Sequence, residues 1–430
     1  MSETGHKVRS RRTASGIPIV PALDGFRAYA LLAVVVLHLL GASGALLALD
    51  GTDASTVVWG VFGNVIDAFF IISGFGLFLA VVSRRGELGS LADYAIGRAA
   101  RLLPAYWLSL VAILVLIAIV PPDPDRIIRT VEGFPSARDI TVHLAAGQMP
   151  ARLFDGGFPV GFGINGPLWM ISVIVGFYVV FPLIARPYYH HPLLGLATAA
   201  VITVAWREAA VHATGVFESI EGGTVPGWIL VLIVTDQLPG WAFSFALGMT
   251  GAWAYVRLQE SGRTAETTRR AALAAAGGLV VCLACAYLYG KEAARAGGAL
   301  SGSTARTDTA LTLAYTAGRG VLMAGIALGP LWMQRPFANR LTSRLAELSY
   351  ATYLIHVPIA IYVGVMLLDL PGAGSLGDVA VWFAVVIPLS LAYAALSVRL
   401  VERPARRWAR RRRSRRLAPS GELAGSPAPP

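Results

Sequence analysis

Charged residues are scarce in this sequence of 430 residues. Only 14% of them are Asp, Glu, Lys or Arg, whereas 55% are hydrophobic. Soluble domains are typically about one quarter charged, so this composition excludes an ordinary soluble protein. The mean hydropathy of +0.62 agrees, and together these values indicate a chain that lies in a lipid bilayer.

Cysteine is nearly absent, and the two that occur, Cys282 and Cys285, lie in one apolar run. A Cys-x-x-Cys pair can indicate redox chemistry, but this setting favours two small apolar helix residues. The sequence also has no His-Glu-x-x-His zinc motif, no Walker loop and no Gly-x-Ser-x-Gly motif. We therefore expect no disulfide framework and no metal.

Long apolar runs are abundant. Ten of them have about the 20 residues that a helix needs to cross the hydrocarbon. They cover residues 26–48, 57–82, 103–120, 168–185, 192–210, 238–256, 271–290, 310–333, 345–369 and 376–400. The sequence thus predicts an all-α polytopic membrane protein with about ten transmembrane helices.

The region 227–256 is the least regular of the apolar regions. The segment Asp236-Gln-Leu-Pro-Gly240 interrupts it, which indicates a broken or re-entrant helix. A bilayer tolerates such a break only where protein or water covers the exposed backbone groups.

The net charge of +11 is spread over short basic clusters between the apolar runs. This distribution favours membrane topology over a nucleic-acid partner, and the positive-inside rule then places both termini in the cytoplasm of a cell-membrane protein. The longest outer loop, 121–167, departs from the rule, since it contains Arg126, Arg129, Arg138 and Arg152.

Three parts of the chain are expected from composition. Residues 1–22 form a basic cytoplasmic arm, which is too polar, and followed by too long an apolar run, to be a cleaved signal peptide. Residues 23–404 form one transmembrane domain. Residues 405–430 form a tail that is first basic and then disordered.

Ionisable residues inside the apolar runs are candidate functional residues, because hydrocarbon penalises them. Arg27 and His38 are eleven residues apart, so they point the same way, roughly 16 Å apart along the helix axis. Asp67 and His356 reach a similar depth on other helices, and Tyr353 shares a face with His356. A lone membrane histidine is often only a helix–helix hydrogen-bond partner. We expect His38, Asp67 and His356 to share one layer if their helices are neighbours.

Arginines also gather at the predicted cytoplasmic ends of the helices. Arg98, Arg101 and Arg403 either set the topology and lie among the headgroups or, with Arg27, hold phosphate groups. Arg319 and Asp236 lie within apolar regions and could meet an acceptor from the outer half.

Five short motifs occur in a fixed order. They are Arg27 with His38; Asp67, Phe69, Phe70, Ser73, Gly74 and Phe75; Arg98, Arg101, Pro104 and Tyr106; Ser349, Tyr350, Tyr353, His356 and Pro358; and Glu402 with Pro404. In this order they resemble the integral-membrane acyltransferase-3 family over essentially the whole chain.

The resemblance implies transfer of an acyl group, with acetyl expected, from cytosolic acyl-CoA to a hydroxyl of a glycan, a lipid-linked sugar or a secondary metabolite. It implies that Arg27, Arg98, Arg101 and Arg403 hold the phosphates of the donor. His38 would be the general base or a covalent acyl carrier. Asp67 would orient His38, and Tyr353 or His356 would donate to the oxyanion.

One motif departs from the family pattern. Trp169, Phe177 and Tyr178 match it, and Trp169 is expected at the substrate, but Ile174 stands where relatives have an acid and Gly176 where they have Gln. A secondary transporter and a non-catalytic family member therefore stay open as alternatives. Transporters tend to show paired broken helices and inverted repeats, and this sequence has one interrupted helix and no matching halves.

Overall fold

The structure is a computed structural model that describes residues 16–120, 134–163, 165–262, 264–296, 307–372 and 374–417. In these residues there is no strand, and nine helices are long and apolar enough to cross a membrane. The bent pair Gly227–Thr235 and Leu238–Glu260 adds a tenth if it is counted as one span. The predicted all-α polytopic architecture is confirmed.

The helices of the described residues are numbered in chain order. They are α1 (Ala22–Ala42), α2 (Ala45–Ala48), α3 (Asp53–Phe62), α4 (Ile66–Val82), α5 (Leu91–Ile119), α6 (Ala137–Leu144), α7 (Gln148–Phe154), α8 (Trp169–His190), α9 (Pro192–His212), α10 (Thr214–Glu221), α11 (Gly227–Thr235), α12 (Ala242–Glu260), α13 (Ala265–Ala296), α14 (Thr309–Leu328), α15 (Leu331–Gln334), α16 (Arg340–Pro358), α17 (Leu376–Ser397) and α18 (Arg403–Leu417). A π-helical segment, Ile359–Leu367, extends α16, and another, Val398–Glu402, joins α17 to α18.

The first spanning helix is shorter than predicted. α1 ends at Ala42, and Gly44 then takes a left-handed conformation (φ 82°) that starts the short helix α2. His38 therefore lies roughly 24 Å along the axis from Ala22, in the last third of α1 rather than at its middle.

Helices α4 and α12 cross with their backbones in close approach. A Cβ atom at Gly74 would lie 2.1 Å from the carbonyl oxygen of Phe245, and one at Gly248 would lie 2.0 Å from that of Ile71. Small residues at helix crossings let membrane helices pack by van der Waals contact where no hydrophobic effect drives association. Gly74, part of the second-helix motif, is thus explained by packing.

The predicted break in the region 227–256 is confirmed, with a bend of 60° between α11 and the segment that follows. Asp236 and Gln237 are buried there. The amide of Gln237 donates to the carbonyls of Ile233 (3.1 Å) and Met149 (2.9 Å), and the Thr203 hydroxyl donates to the carbonyl of Pro239 (3.0 Å). Protein groups therefore cover the backbone at the break, as a bilayer requires.

The two cysteines lie in α13 and are buried and free. They pack with Tyr289, Leu311 and Tyr315 between α13 and α14. The interpretation of both as buried helix residues is confirmed.

The two faces of the molecule differ in charge. Ile17 and the arginine-rich helix α18 line one cavity together, so the first and last described segments lie on the same face, here called the basic face. Residues 134–163 and α10 lie at the opposite face. Arg126 and Arg129 fall outside the described residues, as do residues 1–15 and 418–430 of the predicted arm and tail.

Candidate active site

The rings of His38 and His356 meet inside the helix bundle. Nδ1 of His38 lies 3.0 Å from Nε2 of His356, and the ring centroids are 5.1 Å apart. α1 and α16 are packed neighbours, and His356 is fully buried whereas His38 is partly exposed. The expected convergence of these two histidines is thus seen.

The hydrogen-bond pattern assigns a tautomer to each ring. Nδ1 of His356 lies 2.8 Å from the carbonyl oxygen of Tyr353, so it must carry a proton, which it donates to that oxygen. Nε2 of His356 is then an acceptor, and Nδ1–H of His38 donates to it. Nε2 of His38 keeps its lone pair and has no hydrogen-bond partner among the described residues. In this tautomer Nε2 is the nitrogen of His38 that can accept a proton.

Asp67 does not make the expected contact with His38. Its carboxylate is fully buried, accepts a hydrogen bond from the Thr316 hydroxyl (2.9 Å) and forms an ion pair with Arg319. The guanidinium of Arg319 also lies over the ring of Tyr315, 4.3 Å from its centroid. The structure thus replaces the expected contact between Asp67 and His38 by a contact between His356 and His38, and it pairs Arg319 with a carboxylate of the protein.

Tyr353 lies between the histidine pair and the cavity described below. Its ring centroid is 5.9 Å from that of His356 and 5.8 Å from that of Phe69. Its hydroxyl donates to the carbonyl oxygen of Pro167 (2.5 Å), and the Asn165 side chain donates to the carbonyl oxygen of Leu354 (2.7 Å). The proton of Tyr353 is thus committed to Pro167, so a donation to an oxyanion would require this bond to break.

A cavity of about 420 Å³, here called the arginine cavity, opens at the basic face between α4, α5 and α18. Its charged lining consists of one carboxylate, Asp93, and seven arginines: Arg84, Arg98, Arg101, Arg406, Arg410, Arg412 and Arg413. Burial first, and the charge of Arg413 second, lower the pKa of Arg84. So many cations with one carboxylate give this cavity the charge that binding of a multiply charged anion requires.

A second cavity of about 280 Å³, here called the inner cavity, adjoins the first. Arg101 and Arg406 line both. Its other charged lining residues are Asp24, Arg27, Glu347 and Glu402, and the rest of its lining is uncharged: Phe69, Ile72, Ser73, Leu102, Met170, Ile171, Ile174, Tyr178, Ser343, Ala346, Ser349, Tyr350 and Tyr353. Neither histidine of the pair is in the lining of the two cavities, and Tyr353 separates the inner cavity from His356 by one ring.

The four arginines predicted to hold phosphate lie at different places. Arg98 lines the arginine cavity, and Arg101 lies where the two cavities join. Arg27 lines the inner cavity, 3.5 Å from Asp24. Arg403 instead forms a two-pronged pair with Glu347, at 3.0 and 3.1 Å, and lines neither cavity.

Trp169 and Asp236, predicted to contact substrate, lie outside both cavities. Trp169 begins α8 and packs against Trp241, with ring centroids 5.7 Å apart. Asp236 is buried at the end of α11. Burial lowers the pKa of Arg152, and the nearby charge of Asp236 opposes that shift. Ile174, at the family's acidic position, makes one wall of the inner cavity apolar.

Sequence reasoning missed the contribution of α18. The segment was predicted as a basic tail, yet it is a helix packed on α5, and Arg406, Arg410, Arg412 and Arg413 complete the arginine cavity. The i, i+4, i+7 spacing of Arg406, Arg410 and Arg413, which places them on one helical face, was a usable signal. Glu402, named only as part of a motif, lines the inner cavity.

Comparison with known families gives a match to the acyltransferase domain of the acyltransferase-3 type over residues 20–399. No curated protein and no solved structure matches the chain. The family match covers nearly the whole chain and includes Arg27, His38 and His356. The chain therefore belongs to the acyltransferase-3 family, and it is a multi-pass membrane protein.

Proposed function

We propose that this protein is an O-acyltransferase of the cell membrane that moves an acyl group from cytosolic acyl-CoA to a hydroxyl of a glycan, a lipid-linked sugar or a secondary metabolite. The observation that carries the proposal is the pair of adjoining cavities. One is lined by seven arginines, and the other leads from them to Tyr353, one ring away from the histidine pair.

The shape of the donor suits this arrangement. Acyl-CoA has a nucleotide end with three phosphate groups and a long uncharged arm that carries the thioester. The arginine cavity would hold the phosphates, and the arm would pass Arg101 and Arg406 into the inner cavity. The basic face would then be cytoplasmic, in agreement with the positive-inside rule. Acetyl is the acyl group that we propose.

The chemistry follows from the tautomer of His38. Its Nε2 takes the proton of the acceptor hydroxyl while the hydroxyl oxygen attacks the thioester carbonyl. The tetrahedral intermediate collapses, the carbon–sulfur bond breaks, and the proton passes from His38 to the sulfur. His356 positions the ring of His38, as an acid does behind the base of a catalytic triad. Tyr353 or Phe69 must turn aside for the thioester to reach His38.

The test is release of CoA by purified protein in nanodiscs, with acetyl-CoA and longer acyl-CoAs and with extracts that offer many hydroxyls. We expect the His38→Ala variant to lose about 10²- to 10⁴-fold in rate, the range for removal of a general base. His212→Ala is the matched control, because His212 is an exposed histidine of α9. An unchanged rate in His38→Ala would contradict the role of His38. Absence of both CoA release and acyl-CoA binding in the wild type would favour a transporter or a non-catalytic member.

A further inference from the structure

Glu402 lies in the π-helical turn that joins α17 to α18. Such wide turns are rare and occur frequently at functional sites. Only 3% of the residue is exposed, although it stands at the basic end of the span. Pro404, which has no amide hydrogen to give to a helical acceptor, follows two residues later. The turn therefore buries a carboxylate where the regular α-helical hydrogen bonds of the backbone are interrupted.

The two oxygens of this carboxylate are used differently. Oε2 pairs with Arg406 at 3.4 Å. Oε1 is buried and has no hydrogen-bond partner among the described residues. A buried carboxylate oxygen without a partner is costly, and such groups in native proteins usually meet a ligand or an ordered water.

Glu402 also differs from the other carboxylates of the inner cavity. Asp24 is paired with Arg27 and Glu347 with Arg403, and the side chains of these two acids are 44% and 39% exposed. Water can complete their hydrogen bonds. Glu402 lines the same cavity but is shielded from solvent, beside Arg101 and Arg406, where the inner and arginine cavities meet.

The chemistry of this oxygen selects its partner. A carboxylate oxygen needs a hydrogen-bond donor, and it repels phosphate. An amine is also disfavoured at this oxygen, because the cations Arg101 and Arg406 are the neighbours of Glu402, although Asp24 and Glu347 line the same cavity. The hydrogen-bond partner of Oε1 is therefore expected to be an uncharged N–H or O–H group.

We propose that Oε1 of Glu402 accepts a hydrogen bond from an amide or hydroxyl group of the pantetheine arm of CoA, where the arm passes from the arginine cavity into the inner cavity. This inference rests on the proposed function, since it presumes CoA as the donor. Glu402 is thereby a specificity-determining residue for the arm, whereas the arginines bind the phosphates.

The test compares two ligands that differ by the arm. Binding of CoA and of 3′-phosphoadenosine 5′-diphosphate, which keeps the three phosphates but lacks the arm, is measured by calorimetry on the full-length protein in nanodiscs. For Glu402→Leu we expect CoA to bind about tenfold more weakly or worse, as for a lost hydrogen bond to a charged group, and the nucleotide without the arm to bind unchanged. Glu402→Gln, which keeps an acceptor oxygen, should recover part of the CoA affinity.

Each other outcome overturns the inference. An equal loss for both ligands would mean that Glu402 acts on the phosphate site through Arg406, and no loss for either would mean that it contacts no part of CoA. Wild-type protein that binds neither ligand would refute the proposed function itself and the inference with it. Glu266→Gln is the matched control, because Glu266 is an exposed acid of α13 that pairs with Arg270.

Discussion

The arginine cavity and the polar groups of the opposite half of the molecule differ in how their charges are matched. In the arginine cavity, seven arginines face one carboxylate, and neither Arg101 nor Arg410 has a hydrogen-bond or ion-pair partner among the described residues. In the opposite half, the charge of Asp67 is balanced by Arg319, and the carboxylate of Glu221 accepts from the amides of Gly156 (3.0 Å) and Thr224.

This difference in charge matching distinguishes charged side chains that bind a ligand from those that stabilise the fold. Charges that the protein neutralises itself hold helices and loops in place, and their loss affects stability. Charges that the protein leaves unmatched need an outside partner, and their loss affects binding. By this criterion the Asp67–Arg319 pair belongs to the architecture, although its residues look functional in the sequence. We propose that Arg101 and Arg410 belong to a binding site, although Arg410 looks like part of a tail.

The largest effect is expected from Asp67→Ala. This change leaves the guanidinium of Arg319 buried without its anion, which costs about 3–5 kcal/mol in comparable buried pairs. We expect a clear drop in the temperature at which folded protein is lost from detergent solution, measured by size-exclusion chromatography after heating. Glu266→Ala, in an exposed pair with Arg270, should change it little.

A double variant sharpens the assignment of Asp67. Asp67→Ala combined with Arg319→Leu removes both charges, and most of the lost stability should return, because removal of a whole buried pair is often nearly neutral. The double variant should also keep acyltransferase activity. A stable but inactive double variant would return Asp67 to the catalytic centre, against the geometry described above.

Much of the fold could be predicted from the sequence, because a bilayer imposes one rule on every spanning segment. Each must be apolar and about 20 residues long, so hydropathy alone located the spans. Asp236, Pro239 and Gly240 marked the broken helix by the same logic. The end of α1 was predicted six residues too late, because the run that follows Gly44 is still apolar although the helix is not continuous.

The candidate site could be predicted only in part. Depth along a helix follows from counting residues, so His38, Asp67 and His356 were placed in one layer. Which of them touch depends on the rotation and neighbours of each helix, and these long-range features are not in the local pattern. The choice of His356 over Asp67 as the partner of His38 required coordinates. The position of α18 on α5 is a long-range feature of the same kind.

A smaller effect is expected from Arg101→Gln. Arg101 lines both cavities and has no hydrogen-bond or ion-pair partner among the residues that the structure describes. Its replacement should therefore spare stability and weaken CoA binding by about ten- to a hundredfold, as for one or two charge-assisted hydrogen bonds. Calorimetry with CoA at two salt concentrations measures this. Arg340→Gln is the control, because Arg340 is exposed at the start of α16 and lines neither cavity. A loss of stability without a loss of affinity would place Arg101 among the architectural charges.

The smallest expected effect concerns His143, which lies outside the spanning helices. It tests the opposite half of the molecule, where the protein itself supplies partners for its polar groups. This residue is fully buried; its Nδ1 lies 2.7 Å from the carbonyl oxygen of Asp139, and its Nε2 accepts from the amide of Gly161 (2.8 Å). Nδ1–H can donate in either charge state of the ring, whereas the second bond requires the neutral ring, because a proton on Nε2 would break it.

Burial lowers the pKa of His143, so the folded protein binds this proton less readily than the unfolded chain, whose histidine titrates near about 6.5. The neutral ring therefore contributes fully to the stability of the folded protein above about pH 6.5. This contribution is lost as the pH falls from there towards the lower pKa that His143 has in the folded protein. We expect the hydrogen-exchange protection factor of the Gly161 amide to fall by up to about tenfold between pH 6.5 and 5.5.

In the His143→Gln variant this pH dependence of the Gly161 protection factor should vanish, whereas the His212→Gln variant, at an exposed histidine, should keep it. A protection factor that stays constant across this range in the wild type would show that the Gly161 loop does not depend on a neutral His143.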